Sequence, residues 1–184
     1  MKVTTVRKFY WNFEKEERWL NEMAAKGQAL RHYSFVTYRF EPSRPAEWIY
    51  RIELLPDDSG KPASQEYLAF MADTGAQAVA TYMRWVYFRK PSVDGPFEVF
   101  SDLDSRIAHY KRVLLMFTSL FAGLLPITIV NITNITRGEM TPVILALALP
   151  AVALLLGVEA LLGTQALRVT GKIRELEVRK RLFE

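Results

Sequence analysis

Three acids stand close together at Glu14, Glu16 and Glu17, two histidines lie far apart at His32 and His109, and a single acid, Glu159, interrupts a long apolar run. Neighbouring carboxylates are raw material for general acid–base chemistry. Here they follow Asn12, a good helix N-cap, so they are expected in the first turns of a helix, as a solvated face favoured by its dipole. Neither histidine has a second ligand at metal spacing, and no metal site is expected. Cysteine is absent, which excludes disulfides, thiolate catalysis and thiolate-held clusters. No phosphate-binding glycine loop, nucleophile elbow or zinc-helix motif occurs. The sequence thus assigns no catalytic residue and no cofactor.

A second kind of chemistry is aromatic. Arg84-Trp85-Val86-Tyr87-Phe88-Arg89-Lys90 interleaves rings with basic side chains on a strand-like segment. The string does not fit the RNA-recognition signature, and no nucleic acid is expected as a partner. Strand alternation puts Trp85, Tyr87 and Arg89 on one face and Val86 and Phe88 on the other. With Trp11, Trp48 and Tyr50, the residues Trp85 and Tyr87 are the candidate lining of a groove for a ligand or protein partner.

The elements that would position these residues divide into two solvents. All four tryptophans lie in the first hundred residues, whereas Val113–Leu162 carries charge only at Arg137, Glu139 and Glu159. Val113–Val130 is free of charge, and Pro142–Leu162 is broken only by Glu159. Each run is long enough to cross a hydrocarbon core about 30 Å thick. Each also contains a proline, Pro126 or Pro150, where a kink is expected.

Basic residues flank both runs on the same side: Arg106, Lys111 and Arg112 before the first, and Arg168, Lys172, Arg174, Arg179, Lys180 and Arg181 after the second. The positive-inside rule then places both termini in the cytoplasm of a multi-pass cell-membrane protein. The six basic tail residues are the candidate lipid contacts. The N-terminus has no apolar stretch of the kind that makes a signal peptide. Asn131-Ile-Thr133 and Asn134-Ile-Thr136 match the glycosylation pattern but stand too close to the membrane end to be acceptors. Glu159, about one turn from the cytoplasmic end of its span, is the intramembrane polar candidate. The bland alternative is that it reaches the interface or pairs with a nearby basic residue.

The front part reads as alternating strands and helices. Val3–Trp11, Ala29–Phe40, Trp48–Leu54, Ala76–Tyr82 and Trp85–Arg89 are strand-like, with a bend or hairpin expected inside the second. One helix follows Asn12 and stops at Gly27; a second covers Ser64–Thr74, with Tyr67, Leu68, Phe70 and Met71 inward, and stops at Gly75. Asp57–Gly60 is a turn. WLNEMAAKG at Trp19–Gly27 aligns with YLAFMADTG at Tyr67–Gly75, which suggests a duplicated β-α-β unit.

The predicted fold class is therefore α+β: a ferredoxin-like cytoplasmic domain followed by a two-helix transmembrane hairpin, with room for an extra hairpin at the end of either half. The expected boundaries are 1–100 for the cytoplasmic domain and 101–112 for a juxtamembrane helix begun near Ser101-Asp102. The first transmembrane helix covers 113–131, an external loop 132–141, the second transmembrane helix 142–162 and a basic tail helix 163–184.

Phe9–Leu30, FYWNFEKEERWLNEMAAKGQAL, resembles a bacterial family known as domain of unknown function twenty-eight-twelve. Trp48–Arg51, Tyr87–Lys90 and Phe97–Asp102 fit the same family, and the resemblance covers roughly residues 7–112. Gln28, Met83 and Arg84 depart from the family pattern, which favours a tryptophan at the first place and glycines at the other two. The resemblance implies C-terminal hydrophobic spans and a frequent neighbourhood with PadR-type transcriptional regulators. It brings no established catalytic residues. The expectation is a non-enzymatic, membrane-anchored regulatory or sensing protein that meets lipids and a protein partner or small ligand and is able to form homo-oligomers. An accessory subunit of a transporter is the alternative, and a membrane-bound enzyme is a third reading that the missing catalytic cluster disfavours.

Overall fold

Asn12 does what its side chain predicts: Oδ1 accepts the Lys15 amide at 2.8 Å and opens α1 (Phe13–Ala25). The strand before it is shorter than expected. β1 (Thr4–Arg7) ends after the Lys8 amide donates to the Val36 carbonyl, and Phe9–Trp11 leave the sheet. The Ala29–Phe40 segment is a hairpin, β2 (Gln28–Ser34) and β3 (Thr37–Pro42), closed by a two-residue turn at Phe35-Val36. β4 (Trp48–Leu54), α2 (Pro62–Asp73), β5 (Gln77–Tyr82) and β6 (Trp85–Pro91) repeat the same order. The computed structural model describes residues 3–138 and 140–183; Glu139, read above as part of the connecting loop, lies outside them, as do Met1, Lys2 and Glu184.

The ferredoxin-like plan gives way to a different α+β arrangement. The strands form two three-stranded antiparallel sheets, β1-β3-β2 and β4-β6-β5. Each half is a β-α-β-β unit, so the extra hairpin is present in both. The physical reason is local. Tight turns at Phe35-Val36 and Met83-Arg84 make each helix-following strand pair with its own successor. That successor then takes the central place beside the first strand of the same half. β2 and β5 run next to one another without a shared ladder.

The duplication hint survives at the helix ends, where Gly27 has φ +74° and Gly75 φ +86°. Their surroundings differ. A Cβ on Gly27 would come 2.9 Å from the Ser43 carbonyl oxygen, whereas one on Gly75 would meet the flexible Lys90 side chain at 3.6 Å. Gly27→Ala is therefore expected to cost about 1–2 kcal/mol, and Gly75→Ala the smaller part that is backbone strain alone. Unfolding followed by tryptophan emission, all of it from this half of the chain, would show the order; equal losses would refute the role of Ser43.

Two cores result. Leu20, Leu30, Tyr38, Phe40, Tyr50, Ile52 and Tyr87 pack together, with Trp19, Trp48 and Trp85 at the margin. Leu55, Met71, Ala76, Val86, Phe88 and Phe97 form the other, against Tyr67 and Leu68 of α2. β6 thus feeds one core from each face, as its alternation predicts. Phe70, expected inward, is exposed, because the buried stripe of α2 runs through Ser64, Tyr67, Leu68 and Met71 and leaves position 70 a quarter-turn away.

The chain forms two compact units, divided between Ser105 and Arg106. Asp102 Oδ1 accepts the Ser105 amide at 2.7 Å at the start of α3 (Leu103–Thr136), which runs from the polar residues at its start into the first apolar run without a break. α4 (Pro142–Phe183) likewise joins the second run to the basic tail in one helix. Both helices run on through their prolines. Residues 132–136, expected in the external loop, are helical. The side chains of Asn131 and Thr133 bond back to the carbonyls of Ile127 and Ile129 at 2.8 Å, which holds the final turns.

Candidate functional site

Of the three acids expected on a solvated face, Glu16 is buried. Glu16 falls on the stripe that also carries Leu20 and Ala24, and that stripe faces the shared core. Its Oε1 accepts two tyrosine hydroxyls, from Tyr38 at 2.6 Å and from Tyr87 at 2.7 Å. Tyr38 comes from β3 in the first sheet and Tyr87 from β6 in the second, so one carboxyl oxygen ties the two halves together. Tyr33 packs its ring 4.7 Å from each of those tyrosines, and Trp19 meets Tyr38 edge-on at 4.8 Å.

Burial raises the Glu16 carboxyl above the usual carboxylate value, although the two hydroxyl donors act the other way. Burial, followed by the adjacent Glu16 charge, holds the Tyr38 and Tyr87 hydroxyls well above the ordinary phenol range. The cluster keeps its hydrogen bonds to itself. It is a brace, since Glu16 reaches no solvent-borne substrate without a rearrangement of the core.

Glu17 is also removed from the expected solvated face. Its Oε2 accepts the Ile52 amide at 2.9 Å, and its Oε1 pairs with Arg51 at 3.3 Å. One helical turn on, Asn21 exchanges two bonds with the Tyr50 backbone, at 2.9 Å to its amide and 3.1 Å from its carbonyl. β4 is an edge strand, and α1 satisfies its open hydrogen-bonding positions with these two side chains. Burial pushes the Glu17 carboxyl upward, opposed by the Ile52 amide and by Arg51.

The five aromatics read as a groove do not line one. Tyr50 and Tyr87 are core residues, and the Tyr50 hydroxyl accepts the Leu30 amide at 2.7 Å. Trp85 is half-buried, its ring tilted 36° to that of Phe13 at 5.6 Å; Trp48 lies under the Arg89 guanidinium at 4.1 Å. Trp11 is exposed and stands apart from the other four in the segment after β1. A period-two pattern marks the two faces of a strand without saying whether a second layer covers them, and α1 with the first sheet covers this one.

In the second unit Glu159 is buried, and its Oε1 accepts the Thr128 hydroxyl at 2.6 Å. Lys111 and Glu177 pair at 3.4 Å farther along. Lys111 and Thr128 are 17 positions apart on α3, and Glu159 and Glu177 are 18 apart on α4, so the helices run antiparallel in one register. Glu159 therefore finds its partner inside the hairpin, in a threonine that the apolar run disguised. Among the six basic tail residues, Lys172 pairs with Glu175 at 3.0 Å, and Arg168, Arg174, Arg179 and Arg181 are exposed. Among the described residues, no three His, Asp or Glu side chains gather to hold a metal ion.

A family model described as protein of unknown function (DUF2812) matches residues 12–122, which covers α1 to the middle of α3. No curated protein and no solved structure matches the chain.

Proposed function

The chain belongs to the DUF2812 family of proteins of unknown function, and from that premise we propose that it is a membrane-anchored regulatory protein whose α+β unit binds a protein partner or small ligand. The observation that carries this reading is the uncovered apolar surface of the hairpin. Only 17% of the most apolar stretch of either helix is buried, and Leu115, Ile127, Val143, Leu147 and Leu154 face outward. Exposed side chains of that kind are costly in water and at home in lipid. A core helix of a soluble protein would have them covered.

The basic flanks support the orientation with both termini in the cytoplasm of the cell and the short α3–α4 connection outside. A PadR-type transcriptional regulator is the partner this reading names, on the family resemblance alone. The reading assigns no catalytic step to the chain.

The test is extraction of native membranes with alkaline carbonate, followed by gentle solubilisation and capture through a C-terminal tag. Retention in the pellet, with recovery of a regulator, is the expected outcome. Release into the supernatant would refute the anchor. Recovery of a multi-span transporter in place of a regulator would move the assignment to an accessory subunit.

A further inference from the structure

We propose that one end of the α+β unit, made by Phe9–Trp11 and the tips of both hairpins, is a contact surface for an anionic lipid interface. The inference deepens the membrane-anchored reading and rests on it. Four apolar side chains at this end are open: Phe9 is 51% exposed, Trp11 37%, Phe35 59% and Met83 72%. Three of them form one patch with Tyr82, and Met83 follows Tyr82 in its turn. Phe9 meets Trp11 edge-on at 4.9 Å and Phe35 at 6.3 Å, and Phe35 stacks on Tyr82 at 6.1 Å. The equivalent turns of the two halves thus converge.

The backbone there is bent to expose them. Val36 and Met83 both have φ +54°, in two-residue turns where glycine or asparagine would be unstrained. A branched and a long apolar residue hold those places instead. Strain of this kind persists where the surroundings impose it and is common at binding surfaces.

Charge selects the occupant. The segments 7–15, 34–37 and 82–85 carry Arg7, Lys8, Lys15 and Arg84 against Glu14, and the turn after Leu55, whose carbonyl accepts from Arg84, adds Lys61 against Asp57 and Asp58, so the end keeps an excess of two positive charges. The Lys8 ammonium lies 4.8 Å from the Tyr10 ring and 4.9 Å from that of Trp19, next to the open aromatics. Tryptophan, tyrosine and phenylalanine mixed with lysine and arginine are what a headgroup boundary takes. A protein groove for an apolar partner would not need the cationic rim. Two apolar helices on the same chain hold a bilayer within tether range, so even a weak affinity suffices.

The experiment uses the full chain reconstituted in phosphatidylcholine–phosphatidylglycerol vesicles, with plain or brominated acyl chains. All four tryptophans precede residue 100, so quenching by bromine reports on the α+β unit alone. Brominated lipid is expected to lower the emission by roughly the share of one tryptophan in four, and Trp11→Phe to abolish that loss. Phe35→Asp with Met83→Asp is expected to abolish it while Trp11 remains, with emission in plain vesicles unchanged as the folding control. Equal emission in both vesicle types overturns the proposal, whether Trp11 is then open to aqueous iodide or shielded from it by protein. Flotation of the same vesicles separates the two readings. A chain that fails to float refutes the anchor, and one that floats without being quenched refutes only the lipid-contacting end.

Discussion

Glu16→Ala is expected to lower the stability of the α+β unit by about 3–5 kcal/mol, against about 1 kcal/mol for Glu16→Gln. Alanine strands two buried hydroxyls, those of Tyr38 and Tyr87, which donate to the same oxygen at 2.6 and 2.7 Å. It also leaves a cavity under α1 between two sheets that share no ladder. Glutamine keeps an acceptor at that position and most of the volume. Urea unfolding of the full chain in mild detergent, read by tryptophan emission, compares the three proteins. Equal losses for alanine and glutamine would mean that the hydroxyls find other acceptors and that the brace is dispensable.

The same group gives a pH slope of unusual sign. Burial first, against the pull of the two hydroxyls, raises the folded carboxyl above its usual value near 4.5. An acid of raised folded pKa binds its proton more tightly when folded. Its stabilisation is complete below the unfolded value and is lost as pH climbs through the folded one. Glu17 shifts in the same direction, again by burial. Stability should therefore fall as pH rises from about 4.5, and Glu16→Gln should flatten the fall to what Glu17 contributes. A rise over that window in the unmodified chain would refute the assignment of Glu16.

What the sequence disclosed follows from the range of each interaction. Asn12, Gly27, Gly75 and the Trp48–Leu54 strand were legible because a cap, a positive φ and a period of two are properties of a few neighbouring residues. The two faces of β6 were legible for the same reason. Sheet order was not. β3 and β6 take the central places because of which strand returns beside which, and no local pattern records that. Glu16 was misplaced because two local rules disagree. Its position near a helix start favours solvent, whereas its phase with Leu20 and Ala24 favours the core. Phase decides, because Tyr38 and Tyr87 supply the partners that make burial tolerable. Those partners are 22 and 71 residues away, beyond any local pattern.

The Thr128–Glu159 pair should show an asymmetry that a simple deletion argument misses. Thr128→Val is expected to weaken the α3–α4 hairpin by roughly 2–3 kcal/mol, because it leaves a buried acid among apolar side chains with no donor. Glu159→Leu should be nearly neutral. The threonine it leaves behind already has its Oγ1 at 3.4 Å from the Leu124 carbonyl and turns its proton there. The double variant should then behave like Glu159→Leu, since an apolar pair needs no partner. The chain lacks cysteine, so spin labels at Lys111→Cys and Glu177→Cys report the separation of the helices directly. That choice removes the 3.4 Å pair of those two residues, an exposed contact worth at most about 1 kcal/mol. A narrow distance distribution in the parent and in Glu159→Leu, broadened in Thr128→Val and narrow again in the double variant, is the expected pattern. If Glu159→Leu is the variant that opens the hairpin, the acid is holding something other than Thr128, and a partner in the membrane becomes the better account of it.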